Sequence, residues 1–233
     1  MTMLELLQLL QLADSALPIG ASAHSFGLET LTAEGQLTPA SMAPFFANLL
    51  QETAPLEAAC CRHAYRLADA TVTDEATFAT QWMRLNYALS ARKPARESRE
   101  ASATLGKRFL RLATSLEPLP RLQDAIKASG ARGFDIHLCT AFGLVGGALQ
   151  LGEEAVTSAY LQQNLAGLLS ACQRLMPVGQ NQVMVLSWQL KPLLAQIAER
   201  SQNADVDSIH SFAPLLDLAG MRHASLPVRL FIS

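Results

Sequence analysis

Residues Leu9 to Glu34 read LLQLADSALPIGASAHSFGLETLTAE, an apolar helical run that ends at Asp14, breaks, and resumes near Ala23. Pro18 bars Leu17 from helical geometry and Gly20 supplies a flexible joint, so two helices are expected to meet at an elbow. The elbow also carries Leu17, Ile19 and Phe26, which must pack against this chain's core or a partner. Working outward, the same helical grammar continues. Met3 to Asp14 predicts a first helix and Ser22 to Glu34 a second, with Gly35 as its stop. Thr38-Pro39 opens a third, as N-cap and first helical residue, running to about Thr53, with Pro55 opening a fourth.

Thr73-Asp74-Glu75 is a start signal for a helix whose apolar face is Phe78, Trp82, Leu85 and Leu89, in steps that match the 3.6-residue period. Lys93-Pro94 interrupts. A basic helix from Ala95 then carries Leu105, Phe109, Leu112 and Leu116, and a short helix follows the break at Pro118 and Pro120. Phe134 to Leu149 predicts a helix containing Gly143, Gly146 and Gly147. Each glycine costs a helix interior up to ~1 kcal/mol relative to alanine, so close approach of another helix is expected, in the same chain or across a dimer. A long helix opens at Glu153-Glu154, Pro177 and Gly179 break it, and a further helix carries Pro192 as a possible kink. Asp207 to Ala219 predicts the last helix before an apolar carboxyl segment. Sustained apolar/polar alternation and NG or DG hairpin turns are both absent. The fold class is all-α: a single-domain multi-helix bundle spanning residues 1–233, with an apolar tail at about 224–233.

Half of the 233 residues are hydrophobic and 16% are charged, enough to bury a substantial core. No stretch is long and apolar enough to cross a bilayer, and the amino terminus lacks the features of a secretory signal, so a soluble cytoplasmic protein is expected. Cys60, Cys61, Cys139 and Cys172 show no CxxC pairing and read as buried small hydrophobes. The net charge of −2 hides a segregation: two basic and nine acidic residues over 1–83 (−7), eleven and four over 84–132 (+7), and five and seven over 133–233 (−2). Opposite patches of this kind steer protein partners. Nucleic acid is disfavoured, because the basic helix has no interleaved aromatics.

The residues offer little chemistry. The phosphate loop GxxxxGK[ST] and the HExxH helix are absent, and Cys60-x-x-His63 has no second pair of soft ligands. His24, His137, His210 and His223 are scattered. No catalytic residue, metal ligand or cofactor site is assigned. Two readings stay open: a non-catalytic assembly protein with an exposed apolar surface at the elbow or tail, and a helical enzyme whose metal or cofactor site forms by convergence in space.

The segments LLQLADSALPIG and HSFGLETL resemble the amino-terminal signature of the UreF family, urease accessory proteins that help load nickel into urease. Met221-Arg222-His223 with Leu226 to Ser233 resembles that family's terminal motif. Ala95 to Glu100 and Arg174 to Gln180 fall between them in family order. The resemblance implies an all-α dimeric protein that binds a UreD/UreH-type accessory protein, recruits the UreG-type GTPase and promotes nickel insertion into apo-urease. It carries partner-binding roles onto Pro18, Gly20, Ser25, Gly27 and Glu29, onto Gly179 and Gln180, and onto Arg222, His223, Arg229, Leu230 and Phe231. The tail is expected to dock on the UreD/UreH-type partner, with Arg229 pairing a carboxylate or carbonyl and Phe231 filling a pocket. Ser22, Ala224 and Ile232 depart from the family pattern.

Overall fold

The computed structural model describes residues 1–69 and 74–233. Among these the chain is all-α, without strands: α1 (Met3–Leu12), α2 (Leu28–Ala33), α3 (Met42–Leu67), α4 (Glu75–Ala91), α5 (Arg96–Leu116), α6 (Pro120–Arg132), α7 (Leu138–Ala148), α8 (Glu153–Leu175), α9 (Gln180–Gln189), α10 (Lys191–Arg200) and α11 (Pro214–Arg222).

The bundle is built around α3 and α7. An added Cβ on Gly143 would stand 1.9 Å from the Cys61 carbonyl oxygen, one on Gly147 2.2 Å from that of Tyr65, and one on Gly146 2.5 Å from Val156. The glycines therefore let α7 lie against the backbone of α3 and the Val156 side chain of α8, within one chain rather than across a dimer. Because α3 is enclosed by neighbours, Cys60 and Cys61 are both fully buried although they point in different directions. Arg62 beside them is buried too, and its guanidinium ties α3 to α8 and α10 through Glu153, Glu154, the Ala198 carbonyl and Ser201.

Several boundaries differ from expectation. The predicted break at Pro55 is absent: α3 runs straight through it. The carbonyl that Pro55 cannot serve belongs to Gln51, which is exposed and can be solvated instead. Thr38-Pro39 forms a 3₁₀ turn before α3 begins. Asp74 caps α4 through its Oδ1, 3.0 Å from the amides of both Ala76 and Thr77, while Thr73 of the predicted start signal lies outside the described residues. Residues 134–137 precede α7 rather than joining it, because the His137 amide donates to Asn86 Oδ1 at 2.9 Å. Pro192 sits in the first turn of α10, so the predicted kink is a helix boundary. The last helix starts at Pro214, not Asp207, where proline's missing N–H does no harm.

The second helix is the largest departure. Ala21–Ala23 is a 3₁₀ turn, His24 is extended, and α2 starts only at Leu28. Phe26 and Gly27 adopt left-handed backbone (φ 53° and 93°), which no helix can continue through. A Cβ on Gly27 would stand 2.9 Å from the Leu216 carbonyl, so glycine is required there twice over.

Candidate partner-binding site

The elbow and the carboxyl segment meet. Ile19 is fully buried, and most of the elbow's apolar side chains pack into this chain's own core. The left-handed pair at Phe26 and Gly27 turns the amides of Ser25 and Phe26 outward, where both donate to the main-chain oxygen of Ser233, at 2.5 and 3.2 Å. The Ile232 amide donates to the Ala23 carbonyl at 2.9 Å. His24 Nδ1 lies 2.8 Å from the Ser233 hydroxyl; burial, and then nearby Arg108, lower its pKa and favour the neutral ring.

Glu29, buried in the first turn of α2, is the centre of this junction. Its Oε1 accepts from the Leu230 amide at 2.5 Å, and its Oε2 from the Phe231 amide at 3.1 Å. His223, fully buried just after α11, places Nε2 2.8 Å from Glu29 Oε2 and Nδ1 2.7 Å from Glu97 Oε2 on α5. Each ring nitrogen thus faces a carboxylate oxygen, so His223 joins α2 to α5 across the junction. Burial alone would raise the Glu29 carboxyl. The hydrogen bonds from Leu230, His223 and Phe231 outweigh it and hold the group below its ordinary value. Arg229 approaches Glu97 Oε1 at 3.4 Å, and Arg222 pairs with Glu34 at 2.8 Å.

The carboxyl segment thus docks on its own chain. Phe231, expected to fill a partner's pocket, is 4% exposed and lies under the Arg174 guanidinium, 4.2 Å from its ring centroid. Arg229 finds its expected carboxylate in this chain, on Glu97. Burial alternates along the segment's end: Phe231 and Ser233 are buried, while Leu230 and Ile232 are 63% and 68% exposed. On α11, Leu215, Leu218 and Met221 recur every third residue and are also exposed.

Of the residues singled out in the sequence, Ser25, Gly27, Glu29, His223, Arg229, Leu230 and Phe231 converge here. Pro18 is exposed on the elbow, Gly20 (φ 83°) lies against Arg108, and Arg222 ends α11. Gly179 and Gln180 are exposed at the start of α9 and share no hydrogen bond with this junction among the described residues. Sequence reasoning did not assign Glu97, Arg174 or His24 to the site, although all three stand inside the quoted family segments.

Beneath the elbow lies a cavity of about 150 Å³, lined in part by His24, Phe26, Glu57, Lys93, Gln163 and Asp217. Glu57 pairs with Lys93 at 2.6 Å and accepts from Tyr160 and Asn164 at 2.7 and 3.0 Å, so its charge is fully answered. Burial would raise its carboxyl, yet Lys93 holds it below the ordinary value. His63 of the Cys60-x-x-His63 pair instead faces the Ala204 carbonyl at 3.0 Å, and Cys60 is an inert buried thiol pushed up to about 12. No helix is long and apolar enough to cross a membrane among the described residues.

These features define a helical protein whose prominent surface is a docked carboxyl segment with apolar residues turned outward. The UreF family model matches residues 37–191, and the chain belongs to that family. Full-length relatives agree. Urease accessory protein UreF of Nostoc sp. is 32% identical over 97% of this chain and 95% of its own length. The proteins of that name from Lachnoclostridium phytofermentans and Geobacillus kaustophilus are 31% and 29% identical, covering 97% and 100% of this chain and 98% and 100% of their own.

Proposed function

We propose that this chain is a non-catalytic urease assembly protein of the cytoplasm. It acts with a UreD/UreH-type scaffold and a UreG-type GTPase to promote nickel insertion into apo-urease. Family membership supports the role, and one observation supports the surface: Leu230 and Ile232 are exposed on a segment whose backbone is held by the Leu230, Phe231 and Ile232 amides and the Ser233 oxygen. A tail anchored in this way has already lost its conformational entropy, so a partner gains apolar burial without ordering it. In this reading Ser25, Gly27, Glu29, His223, Arg229 and Phe231 shape the surface. Leu230 touches the scaffold directly, with Pro18 and Gly20 at its elbow edge and Arg222 at its α11 edge. Gly179 and Gln180 supply a separate contact at α9. A homodimer is also proposed; since α7 is enclosed within the chain, the dimer uses another surface.

The test is Leu230→Asp with Ile232→Asp, co-expressed with the UreD/UreH-type protein. Both side chains are exposed, so circular dichroism and melting should stay near the parent while co-purification and urease activation are lost. Undiminished complex formation by the folded variant would overturn the assignment of this surface.

A further inference from the structure

The basic segment Arg92 to Arg111 carries seven cations, and the structure divides them into two groups. Four are already engaged. Arg92 donates to the carbonyls of Ala88 and Val206 at 3.1 and 3.2 Å, and Lys93 is paired with Glu57. Arg96 lies 3.9 Å from Glu100, and Arg99 donates to the Lys93 carbonyl at 2.7 Å. The side chains of Lys107 and Arg111 make no hydrogen bond or ion pair among the described residues, and Arg108 makes one bond, to a carbonyl of the elbow. All three are exposed, and none belongs to an ion pair among the described residues.

Their spacing makes this unusual. Lys107 and Arg111 are four apart and Arg108 and Arg111 three apart, so like charges stand over one another on a single helix turn. From Ala101 to Leu116, α5 contains no Asp or Glu that could relieve the repulsion. Arg108 is also braced: its Nη1 donates to the Ile19 carbonyl at 3.1 Å, which joins this stripe to the elbow and restrains the side chain in advance of any contact. Three concentrated, partly preorganised cations complement a carboxylate-rich surface. Aromatic side chains to stack bases are missing from the stripe, since Phe109 between these residues is buried.

We infer that Lys107, Arg108 and Arg111 form a docking stripe for an acidic polypeptide segment of a partner protein. It lies on α5 beside the elbow and is distinct from the apolar surface of the carboxyl segment. The stripe extends the assembly role proposed above, but its test does not depend on that role.

A short fluorescein-labelled oligoglutamate is titrated with the full chain and followed by anisotropy, with oligoglutamine and single-stranded oligodeoxythymidine as comparators. Lys107→Gln with Arg111→Gln, which leaves the elbow brace intact, should weaken oligoglutamate binding about tenfold and flatten its salt dependence. Arg96→Gln with Lys127→Gln removes two exposed cations outside the stripe and should leave binding within twofold of the parent, as roughly expected for charges remote from the contact. Circular dichroism of both variants confirms folding. Equal weakening by the two pairs, or none by the first, overturns the inference. So does tighter binding of oligodeoxythymidine, or a change in self-association of the first pair on sedimentation.

Discussion

His223 Nε2 and the Leu230 and Phe231 amides converge on the carboxylate of Glu29, whose Oε2 lies 2.8 Å from the imidazole. One side chain from α2 therefore fastens the region after α11 and two successive residues of the carboxyl segment. The consequence is a segment whose position depends on a charge.

Glu29→Gln keeps the size but removes the charge and one acceptor oxygen. Loss of charged hydrogen bonds at a buried site is worth roughly 1–3 kcal/mol. In a chain of this length that lowers the melting temperature by several degrees, about 2–4 °C for each kcal/mol. Hydrogen exchange at Leu230, Phe231 and Ser25 should accelerate more than exchange in α3. The parent should behave similarly in acid. Glu29 is held below its ordinary value of 4.5, so its contribution is complete above that pH and is lost as pH falls through the lower, folded value. Exchange at these amides that is the same in variant and parent would show that Glu29 does not hold the segment.

Gly143→Ala places a methyl group 1.9 Å from the Cys61 carbonyl, where backbone and not a flexible side chain must yield. Overpacking costs about 1–3 kcal/mol or more, so the melting temperature should fall sharply. Gly130→Ala in α6 meets nothing within 4 Å and should instead stabilise by about 0.4–1 kcal/mol, through helix propensity and a less flexible unfolded chain. Equal melting of the two variants would be incompatible with backbone contact between α3 and α7.

His137 is fully buried between the hydroxyls of Ser90 and Ser102, at 2.9 and 3.1 Å. Burial, reinforced by Lys93, lowers its pKa from 6.5 to about 3. The unfolded chain therefore binds a proton that the folded chain refuses across that interval. Stability is highest above pH 6.5 and declines toward 3, by up to ~1.4 kcal/mol per pH unit from this group. Urea denaturation at stepped pH measures the slope, and His137→Gln should reduce it. An unchanged slope in that variant would exclude His137 as its source.

Local rules located most helices. Apolar spacing revealed the core face of α4 and, through Leu105 and Phe109, part of that of α5, although Leu116 at its end is exposed; Pro177 and Gly179 marked a real boundary, because these signals act within a turn or two of the residues that carry them. The three glycines of α7 announced a close neighbour for the same reason: each lacks a side chain at a position propensity disfavors. Pro55 misled, since the fate of the carbonyl it leaves free depends on whether Gln51 reaches solvent.

What the sequence could not supply was the closure of the chain on itself. Glu29 and His223 are far apart in the sequence, and the segments that bring them together are irregular, so no period records their meeting. The tail's apolar composition was legible, but its direction was not. Whether Phe231 faces in and Leu230 out follows from the register in which two amides find Glu29 and the Ser233 oxygen finds Ser25. The basic segment was legible as charge alone, and packing decided which cations are spent within the bundle and which remain at its surface. The amino-acid order determined the helices and the family. Long-range hydrogen bonds and burial, which exist only once the bundle has closed, decided the surface it presents.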